Sequence, residues 1–76
     1  QTSPSERVAR NERFAKLATA ISELPTTQRV VVEMRYLQGL KVNEIARNLG
    51  KSEGAVSLLL HRAMTALRGL LAEVAS

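Results

Sequence analysis

Apolar residues recur at helical intervals along most of the chain. Phe14, Leu17, Ala18 and Ile21 fall at i, i+3, i+4 and i+7, the signature of one helix face. This predicts a first helix over Arg7 to Glu23 whose buried face lies in its second half. Gln1 to Ser5 are polar and include Pro4, which reads as a frayed tail or the end of a linker. Ser5 is a candidate N-cap, with Arg7, Arg10 and Arg13 on the wet side. Leu24-Pro25 ends the helix, because a residue before proline is pushed out of the α region.

Thr26 or Thr27 offers the next cap, and a second helix is expected from about Thr27 to Leu37, with Val30, Val31, Met34 and Leu37 on one side. The triple Val30-Val31-Val32 locally favours a strand. Helical spacing on both sides and the lack of any strand partner decide for helix. Gln38-Gly39 supplies the stop, with Gly39 as a left-handed residue. A short third helix is expected over Val42 to Asn48, with Ile45, Ala46 and Leu49 inward. After Leu49-Gly50-Lys51, Ser52 reads as an N-cap and Glu53 suits the first turn. The fourth helix runs from Glu53 to about Glu73. Val56, Leu60, Ala63, Leu67 and Val74 form its stripe, widened by Leu59, Met64, Leu70 and Leu71. Gly69 is a place where the last turns can fray or bend.

The fold class is therefore all-α: a four-helix domain with a C-terminal helix-turn-helix. Residues 1–12 carry the linker and the start of the first helix, and residues 13–76 the folded domain. A short helix, a tight turn with one glycine and a longer helix form the helix-turn-helix pattern. Its first helix crosses the second and leaves the N-terminal turns of the second free to enter a major groove. The competing reading is an ordinary αα-hairpin.

Composition narrows the function. The 76 residues carry 11 Lys plus Arg against seven acids, all of them Glu, for a net charge of +4. Eight of the eleven bases are Arg, suited to forked contacts with phosphates and base edges. Such a balance fits a polyanion partner, nucleic acid or an anionic surface. The basic residues are spread over all the helices, unlike a basic amphipathic membrane helix, and no apolar run exceeds three residues. No membrane partner is expected. With one His, no Asp, no Cys and no Gly-rich phosphate loop, neither a catalytic constellation nor a metal or cofactor site is expected. The lack of cysteine fits a reducing compartment. A chain of this length buries only about 60% of its unfolded surface and makes one modest domain.

Leu24-Pro25-Thr26-Thr27-Gln28-Arg29, Met34-Arg35-Tyr36-Leu37, Glu44-Ile45-Ala46, Leu49-Gly50, Gly54-Ala55-Val56, His61-Arg62-Ala63 and Leu67-Arg68 form one ordered series. It resembles region 4 of bacterial RNA polymerase sigma factors, especially the extracytoplasmic-function type, over roughly Phe14 to Leu71. The resemblance implies a cytoplasmic promoter-recognition domain that binds the −35 element as double-stranded DNA. It also implies docking on the β-subunit flap of RNA polymerase and, often, masking by an anti-sigma factor. Arg35 matches a phosphate-facing position, with a solvated surface arginine as its alternative. Lys41 and Val42 match the start of a helix whose amides and side chains meet phosphate. Lys51, Ser52 and Glu53 match the turn and first residues of the recognition helix; Ser52 is a cap first. Glu53 can accept from cytosine N4 or simply suit the helix dipole.

Beyond Glu53, geometry selects the candidates. At 100° per residue, Gly54, Ala55, Leu58, His61, Arg62 and Thr65 lie off the Val56-Leu60-Ala63-Leu67 stripe. Ala55 or Leu58 can touch a thymine methyl, Ser57 can bond a base edge or phosphate, and His61 and Arg62 suit backbone phosphates. Family members often carry basic residues at the positions of Ser57 and Leu59 and a small polar residue at Leu58. Here Ser57-Leu58-Leu59-Leu60 is uncharged. Val30 also stands where the family often has Glu. Two other readings follow: a response-regulator-type helix-turn-helix regulator, and a module that mainly binds polymerase or an anti-sigma factor.

Overall fold

The computed structural model describes residues 4–75, with side chains described for residues 11–72. Its elements are α1 (Pro4–Ser22), α2 (Thr26–Val32) continued by a π-helical turn (Glu33–Leu37), α3 (Val42–Leu49) and α4 (Glu53–Ala75). No strand occurs among the described residues, and the all-α reading stands. α1 starts at Pro4, earlier than expected, so Ser5 lies inside the helix instead of capping it. Proline suits a first helical position because its missing N–H would be unpartnered there anyway. The expected boundary between residues 12 and 13 falls within α1, while the tail residues Gln1 to Ser3 lie outside the described residues.

Two cores hold the helices together, and α4 spans both. Ala20, Leu24, Val32, Ala63 and Leu67 join α1, α2 and the C-terminal half of α4. Val31, Ile45, Ala46 and Val56 join α2, α3 and the N-terminal half of α4, and Leu60 packs against both clusters. Helix α2 is buried on two sides. That explains why three consecutive valines, poor helix formers, are held in a helix. Val74, expected on the α4 stripe, lies outside the described side chains, and α4 runs unbroken past Gly69.

The sequence reading of buried faces and of the α2 cap needs three corrections. Phe14 is 63% exposed, and Leu17 and Ala18 are exposed too; the inward residues of that region are Ala20 and Leu24. On α2 the buried pair is Val31 and Val32, whereas Leu37 is 74% exposed. The cause is the wide π turn, closed by Gln38 N–H donating to the Glu33 carbonyl at 3.0 Å, which rotates Tyr36 and Leu37 outward. Neither Thr26 nor Thr27 caps α2. Pro25 occupies the N-cap, without a side-chain cap bond, and its carbonyl accepts from Arg29 N–H at 2.9 Å.

Taken as a whole helix rather than as runs, Glu53–Ala72 is long and apolar enough to cross a membrane by length and composition. Its apolar residues are distributed around the helix, and Val56, Ala63 and Leu67 are spent on the two cores.

Candidate nucleic-acid interface

Local devices fix the turn between α3 and α4. Gly50 takes φ +64°, the left-handed conformation that glycine adopts without a Cβ penalty. Lys51 N–H donates to the Ala46 carbonyl at 2.9 Å and Gly50 N–H to the Arg47 carbonyl at 3.4 Å, a Schellman closure. Ser52 then starts α4: its Oγ accepts from the Ala55 amide at 3.1 Å, and its carbonyl accepts from Val56 N–H at 3.1 Å. The cap expected of Ser52 is formed. Beneath the turn, Ile45 and Val56 are fully buried, so the angle between the helices is set by apolar packing.

This arrangement leaves one face of α4 open. Lys51, Glu53, Gly54, Ala55, Ser57, Leu58, His61 and Arg62 are all exposed. Along the helix, Arg62 stands about 13 Å from Glu53, close to the roughly 12 Å width of a B-DNA major groove. Cations thus stand at the two ends of the face, Lys51 beside Glu53 at one and Arg62 at the other, with the uncharged stretch 54–60 between them. Thr65 shares this face, but its hydroxyl donates back to the His61 carbonyl at 3.1 Å.

The start of α3 departs from the expectation of open amides. The Lys41 amide donates to Glu44 Oε1 at 3.0 Å, half of a capping box; lysine, having no acceptor, cannot supply the other half. An anion at this helix start therefore meets the Glu44 carboxylate and an amide already in use. The Lys41 side chain is exposed, whereas Val42 is half-buried against the α3 core. Arg35 is exposed, and its Nη1 donates to the Leu40 carbonyl at 3.2 Å. One of its donors braces the loop before α3 and the rest face outward.

Two features escaped the sequence reading. Asn43 and Arg47, four residues apart and exposed, lie on the side of α3 away from Ile45 and Ala46; their spacing was the available signal. The second is an open apolar groove of about 370 Å³ formed by Phe14, Leu17, Ala18, Ile21 and Leu37. Arg29 and Glu33 also line it, and their side chains pair at 3.8 Å. The groove shares no residue with the open face of α4. The signal for it was the Phe14, Leu17, Ala18 and Ile21 stripe itself, which periodicity assigns to a buried face.

Residues 14–67 match the family model described as Sigma-70, region 4. The chain belongs to that family. The region 4 domain is 41% identical over 71 residues to the ECF RNA polymerase sigma factor BldN of Streptomyces coelicolor, covering 93% of this chain and 27% of that protein. It is 36% identical over 74 residues to the ECF RNA polymerase sigma factor SigL of Mycobacterium tuberculosis, covering 97% and 41% respectively. Against the RNA polymerase sigma factor FliA of Pseudomonas aeruginosa it is 42% identical over 64 residues, covering 83% and 26%. The region 4 domain thus spans about a quarter to two-fifths of the length of these relatives. Its family is DNA-binding and regulatory, not enzymatic, and no match favours the response-regulator alternative.

Proposed function

We propose that this chain is the promoter-recognition domain of a sigma factor of the extracytoplasmic-function type, acting in the cytoplasm with RNA polymerase. In this reading α4 enters the major groove of the −35 element from its N-terminal end. Arg62, His61, Lys51, Arg35 and Lys41 meet phosphates, and Glu53, Ala55, Ser57 and Leu58 face base edges. Arg47 joins the phosphate set from α3. The observation that carries the reading is the open face of α4, flanked by cations and held at a fixed angle by the Ile45–Val56 packing.

The groove on α1 and α2 is the proposed seat of the polymerase β-subunit flap. Its apolar floor and Arg29–Glu33 rim suit an apolar segment that carries a few polar groups at its edge. Because it shares no residue with the open face of α4, DNA and polymerase can be held together. An anti-sigma factor would act by covering one or both surfaces. Binding of the domain to isolated flap and to labelled promoter duplex, separately and together, tests the reading. Simultaneous binding supports it, and mutual exclusion contradicts it.

A further inference from the structure

We infer that this domain reads its promoter element chiefly through thymine C5-methyl groups, with Leu58 as the specificity-determining residue; this rests on the promoter-binding reading. Leu58 is the one large apolar side chain of α4 among the described residues that is exposed, at 47%. One turn before it on the same face stand Gly54 and Ala55, both exposed, and no atom approaches the position of a Cβ at Gly54 within 4 Å. Leu58 therefore projects above a nearly flat stretch of helix.

The surrounding polar groups argue against guanine readout on the central face. Guanine is read by Arg or Lys donating to O6 and N7, and no cationic side chain occurs from Ser52 through Leu60. Glu53 offers only acceptors, which suit the N4 amino group of a cytosine at the end of the contacted segment, and the Ser52 oxygen is engaged in the helix cap. His61 and Arg62 lie far enough along α4 to meet the rim of the groove rather than its floor. On the central face Ser57 supplies one hydroxyl, which can donate or accept and so does not by itself choose a base. The rest is apolar surface, and the C5-methyl of thymine is the apolar group on a major-groove base edge. Leu58, with Ala55 beside it, matches that chemistry.

The test starts from the duplex this chain selects out of a pool randomised across the contacted segment. Each thymine is then replaced by deoxyuridine, which removes only the methyl group. Wild type is expected to lose about fourfold in affinity at one or two positions, the worth of burying one methyl. Leu58→Ala should bind the thymine and uridine duplexes alike, and Leu58→Met should recover the discrimination. Arg62→Ala should weaken both duplexes equally and keep their ratio. Uridine duplexes bound as tightly as thymine ones, or a selected sequence without thymine, would overturn the inference while leaving promoter binding intact. If no duplex is bound at low salt, both the inference and the reading beneath it fall.

Discussion

Val31 and Val32 are adjacent in sequence and both buried, yet they belong to different cores. Val31 packs with Ile45, Ala46 and Val56, and Val32 with Ala20, Leu24, Ala63 and Leu67. The short helix α2 is therefore the wedge that joins the helix-turn-helix to α1. Val31→Ala and Val32→Ala should each cost about 2 kcal/mol, with different local consequences. Amide exchange should quicken in α3 and the start of α4 for the first, and in α1 for the second. Identical exchange patterns would contradict the two-core description.

The Ser52 cap separates stability from binding. Ser52→Ala should cost about 1 kcal/mol and lower Tm by roughly 4–8 °C for a domain of this size. Ser52→Asp should keep the cap and the melting temperature but weaken DNA binding, because it adds negative charge beside phosphate. Thermal unfolding by circular dichroism, paired with duplex titration, checks both halves.

Two glycines make opposite predictions. Gly50 holds φ +64° with open space around it, so Gly50→Ala should destabilise by about 1 kcal/mol through the backbone alone. Gly54 lies in the helix with open space as well, so Gly54→Ala should leave stability unchanged or raise it by up to about 1 kcal/mol. The added methyl faces the proposed DNA, and affinity should fall. A Gly54→Ala protein that is more stable and binds DNA unchanged would remove close backbone approach from the account.

Phe14 and Leu17 line the groove while remaining exposed. Phe14→Ser and Leu17→Asp should shift stability by no more than about 0.5 kcal/mol. Both should weaken binding to the polymerase flap at least tenfold and leave duplex affinity alone. Calorimetric titration against the isolated flap is the check.

The legible parts of the fold were those set by local chemistry. Gly39, Gly50 and Ser52 were readable because a left-handed turn or a cap needs a particular residue type at one place. Ile45, Ala46 and Val56 were readable because helical spacing puts them on the apolar faces of α3 and α4. The face of α1 was misread because periodicity shows that a helix is amphipathic, not which of two apolar stripes a partner covers. Leu37 was misread because the π turn breaks the 100° step on which the face assignment relied. At the candidate site, the open face of α4 followed from counting residues around the helix. The Glu44 bond to the Lys41 amide and the Arg35 bond to the Leu40 carbonyl did not, because both depend on side-chain placement.

The most direct test of the central claim is binding of the chain to a −35-type duplex across a salt series, with the same series on a scrambled duplex. With about five phosphates neutralised by Arg35, Lys41, Arg47, Lys51 and Arg62, log affinity should fall with log salt at a slope of about −4.5. Arg62→Ala should make that slope shallower by about one unit. The native duplex should hold a constant advantage over the scrambled one throughout. Equal affinity for both duplexes at every salt concentration, or a slope unmoved by Arg62→Ala, would contradict the claim that this face of α4 reads promoter DNA.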